Sequence, residues 1–309
     1  MKRIFVFKCG GGDAIKNAES IRRLLSILKE YVGVKIILIV SAFQGMTNLL
    51  EHVVNTYLVN TEDAERLLMY IHEEHITHAK KLMLSAKTLN ALDALFMRKK
   101  RKIRELLTQN FSYPQLYSEV VSMGEKYSTL IVSSFFAEHE SVIHISAETL
   151  IYTEGSLEGA KISETKTFST IQNFKNQFLN CTARFAVTEG FIGSSNDNHS
   201  VVTTLGREGS DLTASVVVTM AHGYQIGYFK KFAYHTADPD DPKKKSTAEY
   251  LPVVSFARLE NDITNPEGRK TILHEMSLHF LKKDYGAQTP PIIKIIQFSD
   301  TSKQTLVVR

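Results

Sequence analysis

Lys8 ends an apolar run and is followed almost at once by Gly10, Gly11 and Gly12 in "VFKCGGGDAIKN", residues 6–17. Glycines let a backbone come close to a ligand and aim several N–H groups at it. A helix opening just beyond them adds the positive end of its dipole. With the lysine's full charge, the combination reads as a seat for an anion. The glycines alone would also make a plain turn between strand and helix. It is not a Walker A loop, because the lysine precedes the glycines.

A second stretch, "TLGREGSDLTASVV" at 204–217, reads as a tight turn that opens a helix. Gly206, Gly209 and Ser210 suit backbone N–H groups facing an anion. Arg207 offers a planar fork for a carboxylate. Asp211 offers an anion that orients an amine or a metal, or else Ser210 or Asp211 simply caps the helix. Glu208 sits in the middle, where its charge repels a phosphate. In "IVSAFQGMTNLLEHV" (39–53), Ser41, Thr47 and Asn48 follow a buried strand. Ligands in open α/β sheets sit beyond such strand ends, although Thr47 or Asn48 also suits a helix cap. Glu125 lies in the apolar helix "VVSMGEKYSTLIV" (120–132) and either grips an ammonium group or is an ordinary solvated residue. "HEEHITH" (72–78) spaces its histidines by three, not the four of H-E-x-x-H, and reads as a solvated helix face. "DPDDPKKK" (238–245) lacks calcium-loop spacing and reads as a solvated loop.

These residues need a scaffold, and the patterning supplies one. "RIFVFK" (3–8) and "VKIILIVSA" (34–42) are apolar nearly throughout, as strands buried on both faces are. A helix from about Ala14 to Tyr31 joins them, making a strand–helix–strand unit and hence a parallel sheet. The segment 61–139 has one proline, Pro114, and reads as three or four helices. Further strands are expected at 141–145, 184–190, 224–229 and in "PIIKIIQF" and "TLVVR". Helices are expected near 165–179, from the second stretch to about His222, and around 270–284. A polar loop is expected at 236–247.

The length of 309 residues suits about two domains or one large α/β unit. A net charge of +4, spread along the chain, gives no argument for nucleic acid. No apolar run approaches the roughly 20 residues that span a bilayer, so no membrane partner is expected. The two cysteines, Cys9 and Cys181, make no disulfide framework. The first strand leaves no room for a signal peptide, and the chain reads as cytoplasmic.

Taken together, "KCGGGDA" (8–14), "VSAFQGMTNLL" (40–50), "SMGEKYS" (122–128), "EGFIGS" (189–194), "TTLGREGSDLTA" (203–214) and "TADP" (236–239) resemble the catalytic domain of aspartate kinase, in the amino acid kinase family. Each block is weak alone; six in the right order are not. The resemblance implies a three-layer αβα sandwich around a mostly parallel sheet. It implies one catalytic domain over 1–309, with an N-terminal lobe (1–180) for the amino acid and a C-terminal lobe (181–309) for the nucleotide. The chain ends where family members usually continue, so no C-terminal regulatory domain is expected, and a homodimer would use the catalytic body. The implied reaction moves the γ-phosphoryl group of ATP, with Mg2+, to the side-chain carboxylate of aspartate or a similar small amino acid.

By position, the resemblance makes Lys8 and Asp211 the catalytic pair, with Lys8 neutralising the transferring oxygens. Ser41, Thr47, Glu125, Arg207 and Ser210 fall to the amino acid: Arg207 on its α-carboxylate, Glu125 with Asp211 facing its ammonium. Gly10, Gly11, Phe229, Lys230, His235 and Lys270 fall to the nucleotide. No resident metal site is implied.

This chain also departs from the family pattern. The usual K-F-G-G-T-S becomes Lys8-Cys9-Gly10-Gly11-Gly12-Asp13, and G-R-G-G-S-D becomes Gly206-Arg207-Glu208-Gly209-Ser210-Asp211. In the segment K-T-D-V-D-G-V-Y-T-A-D-P-R, Phe229-Lys230 replaces Thr-Asp, His235 the tyrosine and Asp240 the last arginine. Asp13, Glu208 and Asp240 thus add negative charge where phosphates are expected, and Lys230 reverses part of it. One like-charge pair 4 Å apart costs about 4 kcal/mol at an effective dielectric near 20. Two readings follow: an aspartate kinase with a diverged nucleotide pocket, or a non-catalytic relative that binds an amino acid or a partner subunit.

Overall fold

The two apolar runs form the centre of the sheet. The computed structural model describes all residues except Met1, Gly11, Asn110, Phe111, 265–272 and Gln288. Strand β1 (Ile4–Cys9) is joined by helix α1 (Ala18–Lys29) to β2 (Lys35–Val40), and every residue of both strands is buried. Four long or medium helices follow α2 (Met46–Tyr57): α3 (Thr61–Lys81), α4 (Ala86–Thr108), α5 (Tyr113–Val121) and α6 (Met123–Ala137). Next come β3 (Val142–His144), α7 (Ala147–Leu150), β4 (Tyr152–Glu154), β5 (Lys161–Ile162), α8 (Glu164–Asn180) and β6 (Phe185–Glu189). Strands β7 (Ile192–Ser195) and β8 (Val202–Thr204) lead into α9 (Gly209–Met220) and β9 (Gln225–Lys230). The chain closes with β10 (Val253–Ser255), α10 (Phe256–Thr264), α11 (Glu275–Lys282), β11 (Ile292–Gln297) and β12 (Gln304–Val308).

The main sheet has eight strands in the order β10-β12-β11-β9-β1-β2-β6-β3. All pairs are parallel except β11 with β12. Alternation along each strand splits the core in two. Phe5, Phe7 and Cys9 face one layer with α1 to α6. Ile4 and Val6, with Ile226 and Tyr228 of β9, face the other layer with α8 to α11. That parity continues to the strand ends. Lys8 and Lys230 therefore point to the same side, towards α9.

The mixed α/β, mostly parallel architecture agrees with the sequence reading, and the segment 61–139 resolves into four helices. Three details differ. Helix α1 begins at Ala18 rather than Ala14, because Asn17 and Ser20 close a capping box there. A second, four-stranded sheet, β5-β4-β7-β8, is not foreseen by the patterning; strands of two to four residues carry too little periodicity to read. The third concerns "HEEHITH". His72 and His75 are buried rather than solvated. His72 meets the Tyr127 hydroxyl (2.9 Å) and Asp93 (3.0 Å), and His75 stacks on Tyr127. Helices α4 and α6 cover the face that carries these rings.

Candidate functional site

Beyond the C-terminal ends of β1, β2 and β9 lies a cavity of about 530 Å³. One wall comes from the start of α2 and from α6. The opposite wall comes from the end of β9 and the loop at 231–240, with the turn before α9 between them. Of the sequence-derived candidates, Lys8, Gly10, Ser41, Thr47, Glu125, Arg207, Ser210, Phe229, Lys230 and His235 all line it. Gly11 and Lys270 lie outside the described residues.

Asp211 does not line the cavity. It is fully buried in the first turn of α9, with Oδ1 2.9 Å from Lys8 Nζ and Oδ2 2.6 Å from Lys230 Nζ. Burial opposes its charge, but Lys230 and Lys8 hold the carboxyl below its ordinary value. Burial likewise opposes the charge on Lys8, yet Asp211 and Glu208 keep its ammonium above the usual lysine value. Burial wins at Lys230, whose ammonium is also repelled by Lys8 and lies below the usual value. The result is two lysines clamped by one carboxylate. Behind it, Ser215 donates to the Asp211 carbonyl (2.8 Å) and pairs with the Tyr228 hydroxyl (2.6 Å).

The turn before α9 is built on two left-handed residues. Gly206 has φ +78° and Glu208, at the N-cap, has φ +58°. Neither Ser210 nor Asp211 is the cap. Glu208 sits where the resembling family has glycine, and a side chain in that region costs roughly 1–2 kcal/mol. Its carboxylate lies 3.8 Å from Lys230 Nζ. Arg207 is exposed and makes no ion pair with any other described residue. The Ser41 hydroxyl donates to Ser210 Oγ at 2.7 Å, tying the end of β2 to α9.

On the other wall, the cap of α2 is Gly45, in the left-handed region, not Thr47 or Asn48. Thr47 and Asn48 instead line the cavity. Glu51, one helical turn after Thr47, joins them and accepts from the Tyr117 hydroxyl at 2.9 Å. The sequence reading missed Glu51, though its i, i+4 spacing from Thr47 places it on the same helix face. Glu125 is no solvated residue: it is 3% exposed. Its Oε1 accepts from the Ala42 N–H at 3.2 Å. Burial pushes its carboxyl up to about 8.

Two of the three acidic departures are answered by a lysine. Glu208 faces Lys230, and Asp240 pairs with Lys231 at 2.5 Å. Asp240, Asp13 and Asp238 together hold the Lys231 ammonium above its usual value. Lys231 is not among the sequence-derived candidates; only the folded loop brings it opposite Asp240.

The family model described as "Amino acid kinase family" matches residues 3–285. The bifunctional aspartokinase/homoserine dehydrogenase 1 of Zea mays is 24% identical over 258 residues, covering 80% of this chain and 26% of that protein. Aspartokinase 3 of Arabidopsis thaliana is 28% identical over 217 residues, covering 67% of this chain and 37% of that protein. This chain thus spans well under half the length of either relative. Among solved structures, E. coli aspartokinase III with aspartate and ADP superposes with a TM-score of 0.83 at 20% identity, covering 99% of this chain and 65% of that one. The same enzyme with lysine and aspartate gives 0.82 at 22% identity, covering 99% and 64%. At such identities the superpositions speak for the fold alone. The family match over nearly the whole chain goes further: this chain belongs to the amino acid kinase family.

Proposed function

We propose that the chain is a phosphotransferase of the aspartate kinase type, moving the γ-phosphoryl group of ATP to the side-chain carboxylate of aspartate. The observation that carries this reading is one cavity with a double-lysine floor on one side and an exposed Arg207 and a buried Glu125 on its other walls. Phosphoryl transfer asks for position and charge neutralisation more than covalent chemistry from the protein.

The residues present fit a polyphosphate. A Cβ at Gly10 would lie 3.0 Å from Lys8 Nζ, so glycine there leaves room around that ammonium. Lys8 and Lys230 neutralise oxygens that gain charge, and Asp211 keeps both ammonium groups aimed and charged. Gly10 offers backbone N–H close to the same point. His235 lines the nucleotide side, where its ring N–H donates to the Ala233 carbonyl at 2.8 Å; the Phe229 ring packs in the core against Phe7 and Phe298, leaving its backbone to face the cavity. ATP supplies the phosphoryl group, and Mg2+ arriving on its oxygens needs only one or two carboxylates.

For the amino acid, Arg207 takes the α-carboxylate and Glu125 the ammonium, with Ser41, Thr47 and Ser210 completing the pocket. Asp211, which faces the two lysines and does not line the cavity, is assigned to them rather than to the ammonium. The non-catalytic reading is motivated by the rewritten segment "YFKKFAYH"; within it Lys230 joins Lys8 on Asp211, and Lys231 pairs with Asp240. Mixing the protein with Mg-ATP and aspartate and trapping with hydroxylamine should yield aspartyl hydroxamate. No product with any common nucleotide would refute the assignment.

A further inference from the structure

Two buried carboxylates, Glu125 on the cavity wall and Glu189 at the end of β6, feel each other's charge, and their surroundings differ. Glu189, at the end of β6, is fully provided for: Oε1 meets His144 Nε2 at 3.1 Å, and Oε2 accepts from the backbone N–H of Ala147 at 2.7 Å. Burial opposes its charge, yet with those partners Glu189 stays ionised and its carboxyl lies below the ordinary value.

Glu125 is provided for on one oxygen only: its Oε1 accepts from the Ala42 N–H at 3.2 Å. Its Oε2 is buried and has no hydrogen-bond partner among the described residues. No cation among them pairs with it. Lys8 on β1 is committed to Asp211, and Lys126, next along α6, is paired with Glu148 of α7 at 2.8 Å. His144 on β3 serves Glu189. On α4 and α5, Lys99 and Glu119 pair with each other at 2.5 Å. On α3, His72 and His75 face Tyr127, and His78 stacks on Phe43. Glu51 of α2 and Arg207 line the same cavity without an ion pair to Glu125. A buried carboxylate with no cation and a second negative charge nearby is unfavourable. Paired carboxyl groups in such unlike surroundings divide into one ionised and one neutral member.

We propose that Glu125 stands as a neutral carboxylic acid in the ligand-free protein and gives up its proton when an ammonium group enters the cavity. The O–H bond breaks, its electron pair stays on the carboxylate, the proton leaves to bulk buffer, and the ligand keeps its ammonium protons. The ligand class is a zwitterionic amino acid, so the inference rests on the functional reading above and adds a proton to its binding step.

Calorimetric titration of aspartate at pH 6.5, in two buffers of different ionisation heat, should show close to one proton released per aspartate bound. Affinity should improve about tenfold per pH unit from about pH 6 to 7 and level off above about pH 8. E125Q should release none. No release by the unaltered protein, or equal release by E125Q, overturns the proposal. Infrared spectra of the ligand-free protein at pH 6.5 should show a protonated-carboxyl band that E125Q lacks. If E125Q does not fold, the same band in the unaltered protein should vanish between pH 7 and 9; its absence at pH 6.5 overturns the proposal without any ligand. Failure of aspartate to bind would refute the functional reading, while the infrared band would still decide the state of Glu125.

Discussion

Glu208 combines a backbone cost with an electrostatic one. Its φ of +58° is a conformation that glycine adopts freely, and its carboxylate sits 3.8 Å from Lys230. Glu208→Gly therefore relaxes the turn and leaves Lys230 with Asp211 alone. The left-handed cost of roughly 1–2 kcal/mol is partly offset by the extra freedom glycine gives the unfolded chain, so the expected outcome is a stability gain of up to about 1 kcal/mol by chemical denaturation and a severalfold rise in Mg-ATP affinity. Unchanged nucleotide affinity would mean that this carboxylate does not oppose the phosphates. The charge changes at Asp13, Glu208 and Asp240 were legible in the sequence, but their consequence was not. Whether a carboxylate repels a ligand depends on the lysine beside it, and Lys231 meets Asp240 only because the loop folds back.

Helix α3 carries its histidines inward, and this makes a stability prediction. His75 is fully buried, its ring N–H donates to the Ile71 carbonyl at 2.6 Å, and its Nε2 has no partner among the described residues. Burial drives its pKa down to about 4, with His78 and His72 pushing the same way. The unfolded chain, titrating near 6.5, then binds more protons than the native protein between about pH 4 and 6.5, so stability falls as pH drops through that window. The loss from this group at pH 5 is about 2 kcal/mol. His75→Leu should flatten the fall in melting temperature between pH 7 and 5; an unchanged slope would assign the acid sensitivity elsewhere. Glu125 works in the opposite sense, its raised pKa costing stability as pH climbs towards about 8. The three-residue spacing of His72 and His75 is visible in the sequence, yet spacing does not say which face of a helix is covered.

The whole site depends on how closely α9 approaches the sheet. A Cβ at Gly190 would lie 2.6 Å from Ser210 Cβ and 2.9 Å from Ser210 Cα. Nothing flexible stands there to move aside. Gly190→Ala should push α9 away from β6, break the Ser41–Ser210 contact and cost roughly 1–3 kcal/mol. Amino-acid binding should weaken with it, although no charge has changed. A variant with unaltered melting and binding would show that the close approach is not needed.

Much of this protein was decided locally. Unbroken apolar runs specify strands buried on both faces, glycines mark the turns, and the order of short blocks carries the family, because each depends only on residue type and near neighbours. Tertiary structure alone decided the rest. Asp211 became the clamp for Lys8, far away along the chain, and for Lys230, because strand parity aims both lysines at α9. Glu125 became a buried acid with no cation beside it among the described residues because α2, α6 and the end of β2 close around it. Burial and long-range pairing set the charge state of an acid or base, and neither is a property of the residue itself.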